Sequence, residues 1–221
     1  MYKPSTDWNP KQKRLREIIL MPGCFSEAME LCCELHGLVH QHEVSDAPGE
    51  TLADEVYGNL RDEDFRFPGE RTIAWNLWHI ARIEDATMNI LVGKGKQVLN
   101  KTWLKKMRTQ ITDTGNAMTN EEIISFSNEI HPRELLNYRK AVGIRSREIL
   151  AALTAADMTR TFPADRVEQI LVQGCVTEHP DSLWLQDFWG RKTVAGILLL
   201  PLTKHQAGHL NDCLKIRKKI K

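Results

Sequence analysis

His79, His205 and His209 are the residues whose type and spacing most directly suggest chemistry. His205 and His209 are four apart, so on a helix advancing about 100° per residue they sit one turn apart on one side. Val194, Leu198, Asp212 and Ile216 share that face, within roughly 60° of arc, which turns both imidazoles toward a core. On its own helix His79 shares a face with Trp75, Ile83, Ala86 and Ile90. Three imidazoles from two helices would hold a divalent ion and leave positions open for a ligand, the pattern of a reactive rather than a closed site. The same spacing also suits core histidines bonded to carbonyls or carboxylates. No HExxH glutamate accompanies the pair, because Gln206 follows His205, so a zincin-type protease is not supported.

Residues around the three histidines divide by direction. Asn76 lies one turn before His79 and is a candidate to bond a ligand or a bound water. Asp212, three residues past His209, is a candidate acceptor for the spare N–H of a ligating imidazole. Glu84 and Asp85 point away from His79 and are not expected at the site. A second pair with the same spacing, His36 and His40, falls roughly 100° and about 140° from the apolar stripe of its helix and is expected to flank or oppose the core. His42, His131 and His179 sit at helix ends or in loops, where surface positions are expected. The tryptophans read as core or interface, although Trp184 and Trp189 could wall a pocket. The terminal KIRKKIK reads as charge complementing a helix C-terminus.

Four long helical stretches would position these residues: 26–42 capped by Ser26, 71–92, 132–153 and 193–220, the last kinked at Pro201. Shorter helices are expected over 11–20, around 51–57, at 101–109 and from Thr119. Segments 43–70 and 154–190, rich in Pro and Gly, read as loop and as mixed structure. Strand-like alternation is nearly absent, so the fold class is all-α, a four-helix bundle in a single domain over 1–221.

Lys plus Arg number 30 against 29 for Asp plus Glu, giving a net charge of +1 that excludes a nucleic-acid coat. No apolar run is long enough to span a membrane, and the charged first twenty residues do not resemble a secretory signal. The five cysteines form no CxxC pair and are expected to be reduced, small buried hydrophobes in a cytoplasmic protein.

The segments WNLWHIARIED, around His79, and LTKHQAGHLND, around His205 and His209, resemble the DinB/YfiT-like superfamily. The resemblance implies an up-down-down-up four-helix bundle with His79, His205 and His209 as metal ligands. It also implies nickel or zinc as the metal, a low-molecular-weight thiol as co-substrate, and a metal-dependent S-transferase or hydrolase acting on a small molecule. Homodimers are common in that superfamily and are expected from the resemblance alone. The alternative is a bundle that binds a metal or small molecule without turnover.

Overall fold

The computed structural model describes residues 2–41, 44, 51–58, 60–67 and 71–220. His42, Pro48, Gly49, Pro68 and Gly69 lie outside these residues. Among the described residues every regular element is a helix, with no strand.

The helix carrying His79 is the centre of the bundle. Thr72 begins it by accepting a hydrogen bond from the Trp75 backbone N–H, so the first turn has a cap. The α-helix runs Ile73–Glu84 (α4) and continues as a π-helical stretch, Asp85–Val92, that ends at Gly93. Every residue of α4 is buried. A helix covered on all sides must satisfy each of its polar groups from its neighbours. Arg82 and Asp85 show how: Asp85 accepts from Arg82, Tyr138, Asn89 and the backbone N–H groups of Val98 and Leu99.

The preceding helices are Asn9–Ile18 (α1), Phe25–Leu38 (α2) and the short Leu52–Tyr57 (α3), capped by Thr51. After α4 come Lys101–Met107 (α5), Asn120–Glu129 (α6), with a Thr119–Glu122 capping box, and Pro132–Ala151 (α7). Then follow Ala164–Val172 (α8), Pro180–Gly190 (α9), Val194–Leu199 (α10) and His205–Ile220 (α11). A π-helical turn, Leu200–Lys204, joins α10 to α11. This is the expected bend at Pro201, whose missing N–H widens the turn immediately before His205. α4 packs against α7 and α11, while α2 packs against α1, α7 and the turn around Pro201.

Three local expectations change. Ser26 is not the cap of α2, because a 3₁₀ turn over Pro22–Cys24 feeds straight into the helix and leaves Ser26 inside its first turn. That helix also stops at Leu38, where Gly37 weakens the last turn. Segment 154–190 holds two helices because its prolines start helices instead of breaking them: Pro163 precedes α8, and Pro180 takes the first position of α9, with the His179 ring accepting from the Asp181 N–H. No helix among the described residues is long and apolar enough to cross a membrane.

Candidate metal centre

His79 projects from the middle of α4, and His205 and His209 from the first turns of α11. One ring nitrogen from each lies within 4.8 Å of one from each of the other two. The ring centroids are 5.2 Å apart for His79 and His205, 4.8 Å for His79 and His209, and 4.5 Å for His205 and His209.

Two of the three rings have their tautomer set by neighbours that can only accept. His79 Nδ1 is 2.8 Å from the carbonyl of Thr114, so Nδ1 carries the proton and Nε2 carries the lone pair. His209 Nδ1 is 2.7 Å from Asn76 Oδ1. The Asn76 amide nitrogen donates to the carbonyl of Thr72 at 2.8 Å, which leaves its oxygen facing His209. His209 therefore also presents Nε2 inward.

His205 Nε2 lies 3.1 Å from His209 Nε2, while His205 Nδ1 is buried without a partner. Two nitrogens each ~2.0–2.1 Å from a shared ion lie roughly 3.3 Å apart at a tetrahedral angle. The observed separation is therefore close to that of two ligands on one ion.

Burial keeps these rings neutral. It pushes His79 well below the ordinary histidine range, with the other two histidines adding to the effect. Burial and then His209 bring His205 down to about 3. His209 is pushed down to about 4, mainly by burial; the Asp212 carboxylate opposes the shift and Arg71 adds to it. Neutral imidazoles are the form that ligates a metal.

The loop before α6 holds α4 in place through four successive backbone carbonyls. Those of Thr112, Asp113, Thr114 and Gly115 accept from Arg82, Trp78, His79 and Trp75, at 2.8, 2.8, 2.8 and 3.0 Å. Gly115 adopts a φ of +69°, and a Cβ there would lie 2.9 Å from Trp75 Nε1, so the loop needs glycine at this point. Trp75 in turn stacks on His79 with ring centroids 4.6 Å apart. Nothing in the 112–115 sequence marks it as a clamp, because its contribution is made entirely by backbone oxygens.

A cavity of about 380 Å³ opens onto the three histidines. Trp184, Phe188 and Trp189 of α9 wall it together with Trp75, Ile83 and Pro201, and Arg71 and Asn116 add polar groups. Trp184 and Trp189 thus lie where a pocket wall was the less favoured of the two expectations. A second cavity, also about 380 Å³, is lined by His209, Arg71, Asn76, Asp212, Lys215 and Lys219.

The sequence candidates around the histidines separate. Asn76 is buried and touches His209. Asp212 is half-exposed and accepts from Lys215 Nζ at 2.7 Å, while the Nδ1–H groups of His79 and His209 go to Thr114 and Asn76. Asp212 therefore does not take the spare imidazole N–H expected of it, because it lies at the solvent edge of α11.

His36, His40 and Glu84 depart furthest from expectation. His36 and His40 were expected beside or opposite the core, yet both are buried against Glu84, which is itself fully buried. The face they occupy is covered by α4 and α7, so α2 has no solvated side there. The apolar stripe marked one buried face and missed the second.

All five cysteines are free thiols, and Cys32, Cys175 and Cys213 are buried. Among curated proteins none matches this chain. The family model of the DinB superfamily matches residues 49–212, well over half of the chain, and spans α3 to α11 and all three histidines. With that match and an all-helical bundle joining those histidines, the chain belongs to the DinB superfamily.

Proposed function

We propose that the protein is a metal-dependent enzyme in which Nε2 of His79, His205 and His209 hold one divalent transition ion, nickel or zinc, and that it transfers a small thiol to an electrophile. The observation that carries this reading is the convergence of three neutral imidazoles at one end of an aromatic-walled cavity. A divalent ion there would supply a Lewis acid that lowers the pKa of a bound thiol or water.

The protein's own groups bind and orient. Asn76 and Thr114 fix the tautomers of His209 and His79 through their Nδ1–H groups. Trp184, Phe188 and Trp189 offer an apolar surface that would receive the electrophile and exclude water. Transfer is preferred over hydrolysis because His209 and Arg71 line both cavities, and the second carries Lys219 beside the Lys215–Asp212 ion pair, which leaves its wall net positive. Such a wall suits the carboxylates of an anionic co-substrate reaching the centre from the other side. A cytoplasmic setting supplies such thiols in reduced form.

The second reading is binding without turnover, favoured by the lack of any carboxylate among the described residues lining the histidine cavity. Elemental analysis of tag-free protein tests the centre: the parent is expected to hold one equivalent of divalent metal that His205→Ala loses. Failure to bind any divalent ion would remove both readings. Conjugation of low-molecular-weight thiols to an aryl halide, followed with and without metal, separates them. No metal-dependent conjugation with any physiological thiol, in protein that holds its metal, would leave the binding module.

A further inference from the structure

His36, His40 and Glu84 form another group of metal-ligating side chains, outside the cavity just described. Their exposures are 0%, 1% and 0%. His36 lies in the last turn of α2 and His40 two residues past its end, and Glu84 is the last residue of α4. His36 Nε2 is 2.8 Å from Glu84 Oε1 and His40 Nε2 is 2.9 Å from Oε2, and one donor atom from each residue lies within 4.8 Å of the other two. His36 and His40 precede the residues matched by the family model, so the superfamily assignment does not extend to them.

We propose that His36, His40 and Glu84 are a second site for a divalent transition metal, a fully buried structural ion that ties α2 to α4.

Two imidazoles and one carboxylate are a donor set that zinc, ferrous iron and cobalt accept. Donors sharing an ion at ~2.0–2.2 Å stand roughly 3.0–3.5 Å apart. The imidazole-to-carboxylate distances are within a few tenths of an ångström of that range, so side-chain adjustment alone would admit the ion. Coordination would replace the two hydrogen bonds to Glu84, with each ligating Nε2 giving up its proton in favour of the ion. His36 Nδ1 is buried with no partner among the described residues.

The surroundings hold the three ligands in place. Gln206 donates to Glu84 Oε2 at 2.6 Å and fixes the carboxylate. Gly143 of α7 makes the room for His40: a Cβ there would lie 2.7 Å from both Cε1 and Nδ1 of the ring. Burying a carboxylate between two imidazoles contributes little stability by itself, since well-packed apolar residues do as well or better in such places. Coordination changes that balance, because ion binding then adds to the free energy of folding.

The competing arrangement needs no metal. Gln206 Oε1 accepts from Arg139 at 2.7 Å, so the Glu84 charge can be balanced through Gln206 by that guanidinium. The two arrangements differ in stoichiometry and in exchange. Because the ligands have no exposed surface, the ion must enter as the bundle closes and leave only as it opens.

The test is zinc content per chain, by native mass spectrometry and elemental analysis, in tag-free full-length protein expressed with added Zn(II). Two equivalents are expected in the parent, one in His205→Ala/His209→Ala, and none when Glu84→Gln is added to that pair. Circular dichroism checks that each variant remains helical, and Glu84→Gln keeps the side-chain shape. In the His205→Ala/His209→Ala protein the remaining zinc should resist EDTA while folded and be released in urea. A folded His205→Ala/His209→Ala protein without zinc, or one whose zinc is unaffected by Glu84→Gln, overturns the second site and leaves the Arg139 balance in its place. The two sites fail separately, since loss of the three-histidine equivalent alone leaves one ion that Glu84→Gln removes.

Discussion

Asn76 on α4 accepts the Nδ1–H of His209 on α11 at 2.7 Å, and its own amide nitrogen is tied to the carbonyl of Thr72 at 2.8 Å. The pair joins two helices and turns His209 so that Nε2 faces His79 and His205. Removing an acceptor of this kind lowers metal affinity by about 10–100-fold. Asn76→Ala should therefore stay folded and bind Zn(II) more weakly by that factor in a competitive chelator titration. Affinity equal to the parent's would show that His209 needs no orienting partner.

Arg82 lies fully buried beside Asp85, with its Nη1 2.9 Å from Oδ2 and 2.8 Å from the Tyr138 hydroxyl. Breaking a buried pair by removing one partner costs about 3–5 kcal/mol, because the other charge stays in the interior. Arg82→Ala should lower the unfolding free energy by that amount in urea titrations. Asp85→Asn should cost a similar amount, since Val98 and Leu99 donate to different Asp85 oxygens, Asn keeps only one of them, and Arg82 loses its counter-charge. Equal, small losses for both would mean that solvent reaches the pair.

The buried histidines make metal-free protein sensitive to mild acid. Burial brings His205 down to about 3 and His209 to about 4, and it is also the main cause that brings His40 to about 3. In the unfolded chain each titrates near 6.5. As the pH falls below about 6.5 the unfolded state takes up protons that the folded state refuses, so stability declines progressively toward pH 4. The urea midpoint of the metal-free protein should fall between pH 7 and pH 5, and His205→Ala/His209→Ala should show a shallower fall. A midpoint independent of pH over this range would mean that these rings are protonated in the folded state.

Gly143 sits inside α7, where alanine would ordinarily stabilise the helix by about 1 kcal/mol. Its Cβ would meet Val44 Cγ1 at 2.9 Å as well as the His40 ring, and over-packing of this kind costs about 1–3 kcal/mol. The ring is held by Glu84 and has little freedom to withdraw. Gly143→Ala is therefore expected to destabilise the protein despite its helix propensity. A raised thermal midpoint would show that His40 can shift at no cost.

The sequence by itself determined that the chain is helical and that His205 and His209 share an inward side of one helix, because both follow from the 3.6-residue period. It also carried the short helix around 51–57, the start of α6 at Thr119 and the bend at Pro201, each a matter of bonds within a few residues. Tertiary structure alone decided that Asn76 meets His209, that Thr114 anchors His79, and that Asp212 stays at the solvent edge beside Lys215. It also decided that His36 and His40 are buried against Glu84, since periodicity ranks the faces of one helix against each other and cannot count the helices that will cover them. For α2 and α4 that count leaves the polar face of one helix against the polar residues of another, and the partners named come from segments 35 to 133 residues apart in the chain.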